Sequence, residues 1–168
     1  MSTTTEHLSE PRWLNAEERQ AWLALGSLVF NLGPALDAQL RRDAGISHFE
    51  YTILSSLSEA PERTLRMSEL AVLADGSLPR LSQAVGRLEN KQWVERSTDP
   101  TDGRYTLATL TDEGYAKVVA TAPGHVNEVR RLIFDPLTAT QVRQLATAAQ
   151  CILAAVDPAG TFKVRRGG

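Results

Sequence analysis

The spacing of apolar residues changes once along this chain, and that change is what most constrains its fold. Before residue 92 and after residue 111, apolar residues recur every three or four positions, as on one face of an amphipathic helix. Between them lie two short segments rich in β-branched and aromatic residues, 93–97 and 105–110, separated by the turn-forming stretch 98–104. This pattern predicts a β-hairpin with a long loop inside an otherwise helical chain.

Capping residues divide the helical part into separate helices. Three pairs of residues have the spacing of a capping box: Asn15 with Glu18, Ser47 with Glu50, and Thr138 with Gln141. Gly45 is a suitable stop for the first helix, Ser77 starts a helix with Pro79 in its first turn, and Thr111 starts another. The predicted order is a long helix, three short helices, the hairpin and two longer helices.

Two proline positions fall inside the predicted long helices. Gly33-Pro34 lies in the first helix, where the missing backbone donor of proline predicts a kink or a break. Pro123-Gly124 predicts a second bend, in the helix that follows the hairpin.

The first and last helices carry apolar stripes without an obvious partner in the middle of the chain. The stripes consist of Trp22, Leu25, Val29, Leu32, Leu36 and Leu40 in the first helix, and of Val142, Leu145, Ala149, Ile152 and Val156 in the last. The simplest way to bury both is against each other and against a second copy of the chain. The sequence therefore predicts a homodimer.

Composition excludes several classes of protein. With 168 residues, 42% hydrophobic, 23% charged and a net charge of −2, the chain is of ordinary globular composition and has no overall basic excess. No uninterrupted apolar run approaches about 18 residues, and the N-terminus lacks the apolar core of a secretory signal, so we expect no membrane contact. The single cysteine, Cys151, excludes an internal disulfide and suits a reducing cytoplasm.

Two short helices joined at Asp75-Gly76 and followed by a hairpin are the parts of a winged helix-turn-helix. In that arrangement the second helix enters the major groove of DNA. Arginine can reach guanine edges or phosphates, glutamine pairs with adenine, and no Asp or Glu occurs from residue 77 to residue 88. The residues of this helix predicted to contact DNA are Ser77, Leu78, Pro79, Arg80, Ser82, Gln83 and Arg87.

The hairpin tip supplies one more arginine, Arg104, which on a narrow loop fits the minor groove. Asp99 and Asp102 are interpreted as turn-forming residues, and Asp102 is also predicted to orient an arginine at the interface. From Arg63 to Arg104 the basic and acidic residues nearly balance, seven against six. DNA binding therefore depends on segregation of the arginines to one face.

Several segments together resemble the MarR family of bacterial transcriptional regulators, over roughly residues 15–157. They are Leu65–Ala71, Ser77–Lys91, Val94–Arg96, Asp99–Arg104 and Leu110–Gly114. The D-x-x-D-x-R hairpin followed by L-T-x-x-G is the most specific part. The resemblance implies a homodimer joined by its N- and C-terminal helices that binds a palindromic operator. It also implies regulation, often repression, that small aromatic or anionic ligands relieve.

Pattern and resemblance together predict a mainly α fold with a small β-hairpin wing. The predicted parts are a disordered tail at 1–12, a dimerisation helix at 13–45, a winged helix-turn-helix at 46–112, dimerisation helices at 113–157 and a flexible basic tail at 158–168. The alternatives left open are a winged-helix module that binds proteins without affinity for DNA, and a dimerisation module of an enzyme.

A ligand pocket is predicted where the first helix meets the second, with Trp22, Phe30, His48 and Tyr51 as candidate walls. The competing interpretation places Trp22 and Phe30 in the core. Cys151 falls on the apolar face of the last helix, where a buried thiol is usually inert. The histidines lack metal-ligand spacing and the chain carries no nucleotide-binding or nucleophile motif, so we expect no metal, no cofactor and no catalysis.

Overall fold

A computed structural model describes residues 11–157, so the predicted tail at 158–168 and all but the last two residues of the tail at 1–12 lie outside the described residues. The chain divides into two compact units, with the boundary between Pro34 and Ala35. Within residues 11–157 the α-helices are α1 (Ala16–Ala44), α2 (His48–Ser58), α3 (Met67–Leu73), α4 (Leu78–Asn90), α5 (Asp112–Val129) and α6 (Ala139–Val156). The strands are β1 (Thr64–Arg66), β2 (Val94–Thr98) and β3 (Thr106–Leu110). The predicted order of the helices and the hairpin is confirmed, and β1 is an additional strand.

The predicted helix starts are confirmed by hydrogen bonds. Ser47 and Glu50 form a reciprocal capping box at the start of α2, and Thr138 and Gln141 form another at α6. Asn15 and Glu18 make the same pair of bonds before α1, both 2.9 Å long. Gly45 follows the last residue of α1 with a φ of +68°, a conformation that favours glycine at a helix end.

The sheet has one strand more than the sequence predicted. β2 and β3 form the expected antiparallel hairpin, with Val94 opposite Leu110 and Thr98 opposite Thr106. β1 pairs with the other edge of β3, which gives the strand order β1-β3-β2. A strand of three residues has no readable alternation, and its partner lies more than forty residues away in sequence, so periodicity could not reveal it.

Neither proline interrupts its helix. α1 continues through Pro34 and α5 through Pro123, so the helices are not broken at these positions, and a π-helical turn, Arg130–Phe134, follows α5. A proline removes one backbone donor, and the remaining hydrogen bonds suffice to continue the helix on both sides.

The core of the second unit lies beneath the helix-turn-helix. Its fully buried side chains come from α2, α3, α4 and the strands that follow: Ile53, Leu54, Leu57, Leu70, Leu81, Val85, Leu88 and Val94. Gly114, near the start of α5, packs so closely that a Cβ atom there would lie 2.1 Å from the carbonyl oxygen of Trp93. α5 therefore begins directly against the chain segment that leads into the hairpin.

The apolar stripes of the first and last helices are covered only in part. Leu36 and Leu40 of α1 are buried, whereas Trp22 is 61% exposed and Phe30 is 80% exposed, so the interpretation of Trp22 and Phe30 as core residues is wrong. Leu145, Ile152 and Val156 of α6 are exposed as well. Cys151 is exposed rather than buried in the last helix.

One helix is apolar and long enough to cross a membrane by length and composition alone. An 18-residue window of α1 has a mean hydropathy of 1.2, and 6% of that window is buried. The sequence expectation missed it because small and amide residues interrupt the apolar run of α1 without adding charge. Buried core helices of soluble proteins and N-terminal signal sequences pass the same test of length and composition, and a single such helix is weak evidence for a membrane segment.

Candidate nucleic-acid interface

The second helix of the helix-turn-helix motif, α4, has one buried face and one exposed face. Leu81, Ala84, Val85 and Leu88 point into the core, and Ser77 caps the helix by accepting a hydrogen bond from the Arg80 amide at 3.4 Å. The residues predicted to contact DNA in this segment are all exposed: Ser77, Leu78, Pro79, Arg80, Ser82, Gln83 and Arg87. The exposed face of α4 therefore carries polar and basic side chains beside Leu78 and Pro79, without an acidic residue before Glu89.

The turn between α3 and α4 is fixed by close packing against α2. Asp75 has a φ of 50°, and a Cβ atom on Gly76 would lie 2.7 Å from the ring of Phe49, so only glycine fits there without a shift. The Arg80 guanidinium lies 4.0 Å above the centre of the same ring. Phe49 thus contacts both the turn and the first arginine of α4, an arrangement that favours a defined position for Arg80.

The second arginine of α4 pairs with a buried acid. The Nε of Arg87 donates to Oε1 of Glu50 at 2.9 Å; the Arg87 side chain is 55% exposed and that of Glu50 is 9% exposed. Burial alone would raise the pKa of Glu50, but hydrogen bonds from Ser47 and Arg87 outweigh it and the pKa lies below its usual value. Glu50 is therefore a charged carboxylate next to α4.

A third arginine, which the sequence analysis did not single out, reaches α4 from β2. Arg96 donates to the Ser82 hydroxyl at 3.3 Å and pairs with Glu89 at 2.5 Å. The Ser82 hydroxyl accepts the bond from Arg96 and keeps its own hydrogen as a donor. The ion pair with Arg96 neutralises Glu89, the acid that follows the exposed face of α4.

At the hairpin tip, Asp102 orients Arg104 as predicted. Nε and Nη2 of Arg104 donate to the two oxygens of Asp102 at 2.9 and 2.7 Å, and the Arg104 side chain remains 83% exposed. The hydrogen bond from Arg104 lowers the pKa of Asp102, and the same bond raises the pKa of Arg104. Asp102 therefore holds a projecting guanidinium in a defined direction.

The turn-forming role of Asp99 is also confirmed, and the structure adds a partner for it. Asp99 is 6% exposed, and it accepts hydrogen bonds from the hydroxyl and the amide of Thr101 at 2.6 and 2.8 Å. The Nε of Arg66, the last residue of β1, donates to Asp99 at 2.9 Å. The Thr101 bonds, followed by Arg66, lower the pKa of Asp99 to about 2. The contact between Arg66 and Asp99 connects the wing loop to β1, the strand that the sequence did not predict.

Two of the four candidate ligand residues lie together. The ring of Tyr51 is 4.7 Å from that of His125 on α5, and the ring of His48 is 5.8 Å from it. Nδ1 of His125 lies 3.2 Å from Oε1 of Gln39, a buried residue of α1. Trp22 and Phe30 belong to the first compact unit. His125 is the member that sequence reasoning missed, because spacing gives no reason to join residues 48 and 125.

The described residues contain no group of three or more metal-ligating side chains. The exposed side chains of this surface carry hydroxyl, amide and guanidinium groups. The surface offers donors to phosphates and to base edges, and Gln83 offers an amide that can pair with adenine.

The fold and this surface together define a class of protein. α3, α4 and the β2–β3 hairpin form a winged helix-turn-helix, in which the second helix and the wing are the elements that contact DNA.

Comparison with known proteins identifies the family. The MarR family profile matches residues 44–104. The crystal structure of Sco3205, a MarR family transcriptional regulator from Streptomyces coelicolor in complex with DNA, is 46% identical, with a TM-score of 0.81 over 88% of this chain and 92% of that chain. AbsC, a MarR family regulator from the same organism, is 32% identical, with a TM-score of 0.81 over 88% of this chain and 99% of that chain.

A curated relative agrees with this assignment. The HTH-type transcriptional regulator YdcH of Bacillus subtilis is 31% identical over 104 residues, 61% of this chain and 67% of the relative. The chain belongs to the MarR family, and it is a DNA-binding transcriptional regulator and not an enzyme. The alternatives without affinity for DNA are thereby set aside.

Proposed function

We propose that this regulator binds a palindromic operator as a homodimer, reads it with α4 and the wing, and represses transcription until a small effector binds. Ser77, Leu78, Pro79, Arg80, Ser82, Gln83 and Arg87 form the major-groove surface in this proposal, and Arg104, oriented by Asp102, enters the minor groove. Such a repressor works where its operator is, in the cytoplasm.

The exposed face of α4 is the observation that carries the proposal. Its core-facing side chains are fully buried, so the polar face has a fixed orientation, and Arg80 and Arg87 lie two turns apart on it. Both guanidinium groups rest on neighbouring residues of α2, Phe49 and Glu50. A rigid helix that presents ordered arginines and no acid in its first turns suits the major groove.

The uncovered apolar faces of α1 and α6 support the homodimer. Trp22, Val29 and Phe30 on α1 and Ile152 and Val156 on α6 are exposed in the single chain. Exposed apolar surface on this scale marks an interaction site. A second copy would cover it, and would place two α4 helices about 34–36 Å apart to enter successive major grooves.

The response to an effector follows from that spacing. A ligand that binds better to a dimer with unsuitable spacing lowers the population of dimers that can bind DNA. The size of this shift is limited by the difference between the ligand's affinities for the two forms of the dimer. The half-buried cluster of His48, Tyr51 and His125 offers aromatic walls with polar atoms, which suits a small aromatic or anionic molecule. Trp22 and Phe30 remain the other predicted ligand residues.

Substitution of Arg104 tests the proposed interface. Arg104→Ala should weaken operator binding by about 1–3 kcal/mol. If the contact is to a phosphate, the slope of log K against log salt concentration should also become smaller by about 1. Arg80→Ala should alter the sequence preference more than Arg104→Ala does, because it lies where base edges are read. Binding is measured by fluorescence anisotropy on DNA located by footprinting next to the protein's own coding region.

Arg130→Ala is the matched control, since Arg130 is also exposed but lies after α5, outside the predicted DNA-binding region. Its affinity for the operator should equal that of the wild type. Unchanged binding by Arg104→Ala at matched salt would exclude the wing contact.

A further inference from the structure

Glu50 joins the start of α2 to the side of α4. It is the third residue of α2, and its Oε2 accepts hydrogen bonds from the amide and the hydroxyl of Ser47 at 2.9 and 3.1 Å. Its other oxygen, Oε1, accepts from Nε of Arg87 at 2.9 Å. One buried carboxylate therefore caps one helix and holds an arginine of another.

The bond to Glu50 occupies only one of the three nitrogens of Arg87. Among the described residues Glu50 is its hydrogen-bond partner, and the bond is made through Nε. The terminal amino groups are left as donors on a side chain that is 55% exposed. Arginine can bind a phosphate through these groups while Nε stays engaged.

The negative charge of Glu50 is shielded from the exposed face of α4. The carboxylate is 9% exposed and its two oxygens accept three hydrogen bonds from Ser47 and Arg87. A long side chain loses conformational freedom when it binds, so a guanidinium that is already held in place loses less. Glu50 thus supplies order to Arg87 without presenting an exposed anion.

We propose that Glu50 is a positioning residue for DNA recognition, which holds Arg87 by Nε so that its terminal amino groups meet a backbone phosphate. The inference rests on the proposed function, since it requires Arg87 to contact the DNA. It goes beyond that proposal in assigning a role to a buried residue of α2 that does not touch the DNA.

Glu50→Gln separates the two roles of the side chain. A glutamine at this position keeps a carbonyl oxygen for Ser47, because capping boxes accept Glu or Gln. Its amide nitrogen then faces the Nε of Arg87, and two donors cannot bond. The cap is kept and the hold on Arg87 is lost.

The experiment is a double-mutant cycle of Glu50→Gln and Arg87→Ala. The probe is the duplex that the wild-type protein enriches most from a random pool, and affinity is measured at several salt concentrations. The thermal unfolding of each variant is also measured, to show that the variant is folded. Glu69→Gln is the matched control, because Glu69 caps α3 from the same position and its carboxylate accepts from the amide of Arg66.

Arg87→Ala should bind about tenfold more weakly, and the slope of log K against log salt concentration should be smaller by about 1. Glu50→Gln should bind several-fold more weakly than the wild type, but should cause less than about a twofold change when Arg87 is already alanine. Glu69→Gln should bind as the wild type does. A purely structural role for Glu50 would instead lower affinity equally in both backgrounds.

Arg87→Lys keeps the test decisive if Glu50→Gln does not fold. Lysine keeps the charge but has no Nε to be held while other donors bind, so its affinity should fall close to that of Arg87→Ala. Wild-type affinity for Arg87→Lys, or unchanged or tighter binding by Glu50→Gln, overturns the positioning role alone. Failure of the wild-type protein to enrich any duplex overturns the proposed function together with it.

Discussion

At the scale of single residues, the acids near the interface differ in what they do to their arginines. Asp102 holds Arg104 at an exposed tip, Glu50 holds Arg87 from a buried position, and Glu89 pairs with Arg96 beside the end of α4. The near balance of charge between residues 63 and 104 therefore does not prevent DNA binding. Within that range Glu89, Asp99 and Asp102 are each paired with an arginine, and residues 77–88 contain no Asp or Glu.

Gly114 gives a prediction at this scale. A Cβ atom there would lie 2.1 Å from the carbonyl oxygen of Trp93 and 2.7 Å from a methyl group of Leu110, so either α5 or the start of the hairpin must move. Gly114→Ala should lower the free energy of unfolding by about 3 kcal/mol, measured by urea denaturation.

Gly124→Ala is the control for that substitution, since it lies in the same helix and its Cβ would meet nothing closer than Gln39 at 3.8 Å. It should raise stability by about 0.5–1 kcal/mol, as alanine does in a helix interior. Equal effects of the two substitutions would contradict the close packing of α5 on the segment before β2.

At the scale of elements, the contact between α2 and α5 contains two half-buried histidines. Burial lowers the pKa of His48, and the charge of Asp37 raises it to a lesser degree. Burial also lowers the pKa of His125, and the neighbouring His48 adds to that effect. Oε1 of Gln39 lies 3.2 Å from Nδ1 of His125, and the ring of Tyr51 packs against the ring of His125.

These shifts predict how stability depends on pH. The unfolded chain takes up protons near pH 6.5, the ordinary pKa of histidine, while the folded pKa values are lower. The free energy of unfolding should therefore be greatest above about pH 7. It should fall as the pH drops through about 6.5 toward the pKa values that the two histidines have in the folded protein. Urea denaturation between pH 5 and pH 8 measures it.

His125→Asn should reduce this dependence, because one of the two shifted groups is gone and the amide can still bond to Gln39. Replacement of both His48 and His125 by Asn should remove most of the dependence between pH 5 and pH 8. A profile for the double variant as steep as that of the wild type would show that other groups cause it.

At the scale of the whole molecule, the uncovered apolar residues of α1 and α6 are the main feature that the single chain does not explain. Ile152→Asp should shift the protein from dimer to monomer at micromolar concentration, since a buried unpaired charge disfavours an apolar interface. Light scattering measures the mass. Gln150→Asp, an exposed polar position of the same helix, is the control and should leave the dimer intact.

A wild-type protein that is monomeric under these conditions would contradict the homodimer. In that case the apolar faces of α1 and α6 would need another partner, and binding to a palindrome would lose its symmetric basis.

Much of this protein could be predicted from its sequence because the decisive signals are local. Capping boxes at Ser47 and Thr138, the stop at Gly45 and the turn residues Asp99 and Asp102 act through neighbours a few positions away. Such contacts depend mainly on the local sequence and little on how distant parts of the chain pack. The element order, the hairpin and the exposed face of α4 follow from them and from the period of the apolar residues.

Contacts between residues distant in sequence were decided only by the tertiary structure. Arg87 meets Glu50, Arg66 meets Asp99, and His125 meets Tyr51, in each case across more than thirty residues and without a pattern that joins them. The same holds for β1, whose pairing with β3 depends on how the helices between them pack. A sequence specifies which side chains can bond, but packing of the core fixes which of them come within reach, because that depends on the positions of whole elements.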